Sequence, residues 1–226
     1  EADSKIQNFA LEIFNDSNLY EKYKNIDILN IDEEDLSFHK DLGLDFKDAG
    51  HELSVEKKER LIEIEKKLIE LGISFSENIA KDKTELMFLE NELKGLSQNE
   101  LQNLRKEGSN FVITMAYPDI NAVSENCSVR KTREVVWKAF NNRSVKENSP
   151  ILEEAVVLRN EKANLFGFNT WSEYRLQNRM AKGPSNVSSM YEELIPKLQK
   201  AADKEKNELV IDLSLIHISE PTRRTD

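Results

Sequence analysis

The chain has almost no punctuation. Seven glycines and five prolines serve 226 residues, too few for the turn density of an all-β fold or for glycine-rich nucleotide loops. Long helices are the default, and one is written out plainly. Behind Ser54, a helix-capping residue type, Leu61, Ile64, Leu68, Leu71, Phe75 and Ile79 fall on one stripe, which Ile62, Ile69 and Ile73 widen. With 38% apolar residues the chain can collapse around such stripes, and its length suits one large domain or two small ones. The fold class is mainly α, a multi-helix region.

Other helices carry their own signals. Ile6, Phe9, Ala10 and Ile13 repeat at helical spacing from the start, whereas residues 26–53 alternate apolar and acidic residues and read as a short helix and loops. Ser97 with Glu100 forms a capping box opening a helix that Gly108 can close. Asn110 to Ala116, β-branched and aromatic and bounded by Pro118, is the one strand candidate, so at most one short strand or hairpin is expected near 110–117. Ser128 is placed to cap a helix bearing Val129, Val136, Trp137 and Phe140. Ser149 followed by Pro150 reads as an N-cap and first helical residue, with Gly167 taking the left-handed closing conformation. Thr170 with Glu173 is a second capping box, and Pro184 stands at or near the start of the last helix.

Both ends read as cuts. Position 1 is Glu, already inside an amphipathic pattern, and something is expected to precede it. Leu213 to Arg223 resembles the translation of a transposon-end adapter used in preparing sequencing libraries, so residues 213–226 are expected to be non-native and are set aside.

Charge and cysteine narrow the partners. The 32 basic and 42 acidic residues give a net charge of −10, the wrong sign for generic phosphate-backbone binding, so no nucleic acid is expected. Cys127 is the sole cysteine, which excludes an intrachain disulfide and a thiolate metal cluster and suits a small, partly buried apolar role. No apolar run approaches about 18 residues and no signal-peptide pattern opens the chain, so neither membrane insertion nor export is expected. The expected location is cytoplasmic, with an organelle left open.

No residue reads as catalytic, cofactor-binding or metal-ligating. His51-Glu52 begins the H-E-x-x-H pattern, but Val55 stands where the second imidazole must be. His39 and His51 read as surface or loop side chains, and His217 falls in the suspect tail. Phosphate-cradling loops and nucleophile elbows have no candidate. The acidic runs Asp32 to Asp35 and Glu63 to Glu70 point around a helix or out of a loop without converging, and read as solvated faces. Trp137 and Trp171 read as core or interface anchors. Arg130, Lys131, Arg133 and Lys138 gather on one helix without aromatic interleaving.

The order of local motifs is more specific than any one of them. V-R-K-T-R-E-V-V-W-K-A-F-N-N-R from Val129, then the segment from Asn148 through Arg159 and Leu165 to Phe168 (LFGF), then Met180-Ala181-Lys182 with Pro184 and Val187, follow in one succession. Upstream stand Leu71 to Leu93, read as a helix and loop, and Phe111 to Pro118, a strand before Tyr-Pro. Together these resemble the thimet oligopeptidase, neurolysin and oligopeptidase A family of zinc metallopeptidases.

The resemblance implies a largely α-helical metalloendopeptidase of two domains facing a deep channel that admits short peptides, which would be hydrolysed by zinc-activated water in a C-terminal catalytic domain absent from this chain. Residues 1–212 would then be the N-terminal helical region, a channel wall that is not itself catalytic. The intact enzyme would carry zinc, act on short peptides and be monomeric; the fragment would bind no zinc and be inactive alone. The alternative is a free-standing helical scaffold that binds a partner through its Trp-bearing helices.

Overall fold

A computed structural model describes residues 2–29 and 32–219, with side chains described over 5–29 and 32–211. Ten α-helices and one three-stranded antiparallel sheet lie among the described residues, so the chain is mainly α. It divides into two compact units, residues 1–162 and 163–226.

The first unit opens with α1 (Ala2–Asn15), α2 (Ser17–Lys24), α3 (Glu33–Asp48) and α4 (Val55–Ala80). On α4 the stripe turns inward as its spacing predicts, with Leu61, Ile64 and Leu71 buried and Leu68, Phe75 and Ile79 half-buried. Ser54 stands at its N-cap, although its hydroxyl makes no capping bond. In place of the short helix expected within 26–53, α3 runs for 16 residues. Its start was written in the acidic run: Asp32 caps it, accepting from the Asp35 N–H at 2.8 Å, and Glu33, Glu34 and Asp35 fill the first turn where the helix dipole favours negative charge.

The sheet exceeds the expected strand or hairpin near 110–117. β3 (Asn110–Thr114) is central, flanked by β1 (Glu85–Leu89) and β2 (Arg105–Glu107) in the order β1-β3-β2. Leu86 pairs with Ile113 and Arg105 with Val112. β1 is built from Leu and Met, ordinary helix formers, and β2 from three charged residues, so neither carries the β-branched signal of its partner. Gly108, expected to close a helix, lies in the turn between β2 and β3; α5 (Gln98–Asn103) ends before it, opened by the Ser97–Glu100 box.

The main core joins this sheet to α5, α6 (Tyr117–Asn126) and α7 (Arg130–Asn141) through Phe88, Phe111, Ile113, Val123 and Val136. Each such side chain, removed from water, contributes about 1.5–3 kcal/mol. Cys127 is buried in the same core and donates weakly to the Glu92 carbonyl. Ser128, expected to cap α7, instead turns its hydroxyl to the Lys94 carbonyl at 2.9 Å, leaving Val129 at the N-cap.

α8 (Val145–Leu165) starts earlier than Ser149–Pro150 predicts. Asn148 N–H already reaches the Ser144 carbonyl at 2.8 Å, and Ser149 folds its hydroxyl back onto Val145 O at 2.7 Å. Pro150 thus lies inside the second turn, where it forgoes one helical bond.

In the second unit α8 ends in a Schellman turn, with Phe168 N–H on Ala163 O, Gly167 N–H on Asn164 O, and Gly167 at φ 83°. α9 (Trp171–Leu176) opens with the Thr170–Glu173 box, and α10 (Pro184–Ser219) begins at Pro184. Tyr174 is buried against Phe166, Phe168 and Trp171, with ring centroids 5.1–5.7 Å apart. The suspect tail is helical through Ser219, and the side chain of His217 lies outside the described residues.

Candidate functional site

The most organised polar construction joins the end of α4 to the turn between α7 and α8. Helix ends leave carbonyls without intrahelical donors; here one side chain supplies such a donor, and a second adds a donor to a carbonyl one turn further in. Ser144 Oγ donates to Asn78 O at 2.9 Å, and Asn148 Nδ2 donates to Phe75 O at 3.1 Å. Asn78 Nδ2 then donates to Asn148 Oδ1 at 2.9 Å. Asn148 is buried, so its amide is held by bonds on both ends. Ser144 sits at φ 51°, a left-handed conformation that a non-glycine residue holds only under constraint.

Beside this clamp lies a groove of about 330 Å³ lined by Phe75, Ile79, Phe140, Val145 and Leu152, with Arg143 on its rim. The Arg143 guanidinium lies 3.7 Å over the Phe140 ring and its Nε donates to Phe140 O at 2.9 Å. An apolar trough with a fixed cation at its edge can seat an apolar side chain. It offers no nucleophile or proton-transfer pair.

α4 and α8 are further laced by ion pairs. Arg60 holds Glu161 by two bonds, Nε to Oε1 at 2.6 Å and Nη2 to Oε2 at 2.9 Å, and it holds Glu63 at 2.9 Å. These contacts push the guanidinium pKa up and the Glu161 carboxyl below its usual range. Lys162, nearly buried, meets Glu65. Within the run Glu63 to Glu70, Glu63 is exposed, whereas Glu65 is half-buried against Lys162 and departs from the solvated face expected.

His51 stands in the turn after α3, as a loop residue, and His39 lies within α3; both rings are half-buried. His51 Nε2 donates to Phe14 O at 2.7 Å, which leaves Nδ1 to accept from the Lys58 ammonium at 3.3 Å. Its ring stacks on Tyr20 at 4.2 Å, and burial holds its pKa below the ordinary value. His39 stacks on Tyr23 at 4.4 Å, and Phe46 touches both Tyr23 and His51. These contacts hold α1 to α4 together; sequence spacing could not show them because the partners are rings from other helices.

Trp137 is not a core anchor. It is 62% exposed, because it stands one residue, about 100° around the helix, from the fully buried Val136. Trp171 is half-buried against Tyr174. Lys131 and Lys138 flank Glu134 at 3.6 and 2.6 Å, and Arg133 donates to Cys127 O, so three of the four basic positions on α7 are engaged within the protein.

Among the described residues no three His, Cys, Asp or Glu side chains are grouped so as to hold a metal ion. No described helix is long and apolar enough to cross a membrane.

Known proteins resemble this chain. Residues 123–211 match the model of peptidase family M3. A thimet-like oligopeptidase of Dictyostelium discoideum is 39% identical over 156 residues, covering 68% of this chain and 23% of that protein. Oligopeptidase A of Haemophilus influenzae is 32% identical over 182 residues, 73% of this chain and 27% of that protein. Saccharolysin of Saccharomyces cerevisiae is 32% identical over 168 residues, 71% and 24% respectively. The chain spans about a quarter of the length of the curated relatives it matches.

Proposed function

Because the chain belongs to peptidase family M3, we propose that it is the N-terminal, non-catalytic part of a zinc-dependent oligopeptidase and lines one wall of a channel for short peptides. The observation that carries this reading is the match over 123–211 together with relatives described as oligopeptidases, of which the chain covers only about a quarter. Zinc ligands and the proton-transfer group would come from the remaining length, since the described residues offer no fitting donor set. Residues 1–212 would be the native region, 213–226 the adapter-derived tail, and the intact monomer would work in the cytoplasm or an organelle. On this wall the apolar groove beside Arg143 would contact the substrate side of the channel.

Two measurements test the reading. The purified 226-residue chain should take up no stoichiometric zinc on equilibrium dialysis and should not cleave an internally quenched peptide. Sequencing the source gene beyond codon 211 should reveal an in-frame H-E-x-x-H. Chelator-sensitive cleavage by the chain itself would overturn the non-catalytic assignment, and a natural stop codon at the junction would favour the free-standing helical scaffold.

A further inference from the structure

The groove beside the Asn78–Asn148 clamp carries charge of one sign. In a chain of net charge −10, its lining holds no carboxylate among the described residues, and its single charged group is Arg143. That guanidinium is fixed along one edge and open along the other. Its Nε donates to Phe140 O at 2.9 Å and it lies 3.7 Å over the Phe140 ring, whereas neither Nη has a hydrogen-bond or ion-pair partner among the described residues. The rest of the polar lining is committed or accepts. Asn148 is held at both ends within the clamp. Asn141 commits Nδ2 to Trp137 O at 2.8 Å, which leaves Oδ1, and Ser149 commits its hydroxyl proton to Val145 O at 2.7 Å, which leaves its oxygen lone pairs.

What this lining lacks is an anion and an N–H donor beside an apolar filling. Phe75 and Ile79 are half-buried along the trough, while Val145 and Leu152 remain exposed, so the groove is open to a ligand from solvent. A carboxylate on Arg143 would lie close to the Phe140 ring, which is itself a wall of the trough. The ligand's apolar group and its carboxylate must therefore be near neighbours. In a chain-terminal residue the side chain and the α-carboxylate share one carbon, whereas an acidic side chain on the next residue starts about 3.8 Å further along.

We propose that the groove seats the C-terminal residue of a peptide, with an apolar side chain between Phe75, Ile79 and Leu152, the α-carboxylate on the Arg143 Nη donors, and the residue's N–H on Asn141 Oδ1 or Ser149 Oγ. Calling that peptide a substrate rests on the channel-wall reading; its binding rests on the groove alone. The guanidinium fork selects a two-oxygen anion over an amide, and the trough selects an apolar last residue over a polar one.

The test is fluorescence anisotropy on the 226-residue chain with three labelled hexapeptides alike except at the last residue: leucine with a free carboxylate, leucine amide, and serine with a free carboxylate. The leucine acid should bind at least about tenfold more tightly than either of the others, the equivalent of one charge-assisted hydrogen bond or one buried aliphatic side chain. Arg143→Gln should abolish the preference for acid over amide. Leu152→Glu, which sets a carboxylate in the groove and leaves the Arg143 bond to Phe140 in place, should abolish it as well. Lys40→Gln on α3 removes one cation outside the groove and should leave binding unchanged, with circular dichroism confirming the fold of each variant. Equal affinity of the leucine acid and either comparison peptide, absence of saturable binding, a preference that survives both groove substitutions, or loss of binding in Lys40→Gln would overturn the proposal. Full competition by octanoate at the peptide's own affinity would assign the groove to a small carboxylate and overturn the peptide. None of these readouts depends on zinc or on an in-frame H-E-x-x-H, so failure of the subsite and failure of the channel reading are told apart.

Discussion

Asn78 and Asn148, 70 residues apart in sequence, meet amide to amide at 2.9 Å, and the second of them also donates to the Phe75 carbonyl. One buried side chain thus closes the end of α4 and fixes the start of α8. Asn148→Ala removes the second donor to the Phe75 carbonyl and leaves the Asn78 amide without its partner, beside a groove that water can enter, so it should cost about 1–2 kcal/mol. Urea unfolding followed by far-UV circular dichroism measures the loss, and a change below about 0.5 kcal/mol would remove the clamp from the account of stability.

Ser144 offers a comparison of two opposed effects. Ser144→Gly relieves the left-handed backbone but loses the hydroxyl bond to Asn78 O, whereas Ser144→Ala loses the bond and keeps the strain. The alanine variant should therefore be the less stable of the two by about 1 kcal/mol. Equal stabilities in parallel urea titrations would mean that the backbone at 144 relaxes freely.

Gly95 is held at φ 103°, and an added Cβ would stand 2.2 Å from Asn126 O and 2.9 Å from Ser128 N. Both obstacles are backbone, and Ser128 N–H is bonded to Lys94 O at 2.7 Å, so neither yields easily. Gly95→Ala should cost about 3 kcal/mol, lowering Tm by roughly 6–12 °C. Differential scanning calorimetry against Gly72→Ala, a position with open space around it, provides the contrast.

His51 should make the stability of the α1–α4 bundle pH-dependent. Its folded pKa lies below the ordinary 6.5, burial being the largest cause, although the Phe14 carbonyl, Asp16 and Glu21 work against it and Lys58 works with it. The unfolded chain therefore binds the proton first. The contribution is fully present above pH 6.5 and is lost as pH falls from there through the folded pKa. Unfolding free energies between about pH 7.5 and 5 should fall more steeply for the natural chain than for His51→Gln, and the His51 ring proton signals should titrate below 6.5. Parallel slopes for the two proteins would show that the imidazole is not coupled to folding.

Much of the architecture was legible because it is local. The α4 stripe, the two capping boxes, the Gly167 closure and the start of α10 at Pro184 each depend on residues within a few positions of one another, where propensity and hydrogen-bond geometry act directly. The acidic start of α3 was equally local; reading Asp32 as a cap in place of a solvated run would have found it. The strands were not local. Leu86 and Phe88 become a strand only by pairing with Ile113 and Phe111, and Arg105–Glu107 only by lying beside Asn110–Val112.

The same division governs function. The order of motifs in the sequence pointed to the family, whose model matches residues 123–211. Only the tertiary structure decided that His51 is locked between Phe14 and Lys58, that Ser128 and Ser149 forgo their caps for Lys94 and Val145, and that Phe75, Arg143 and Leu152 share one groove. The reason is physical: a cap or a stripe is settled by neighbours along the chain, whereas burial and the balance of donors against acceptors exist only once distant segments have packed.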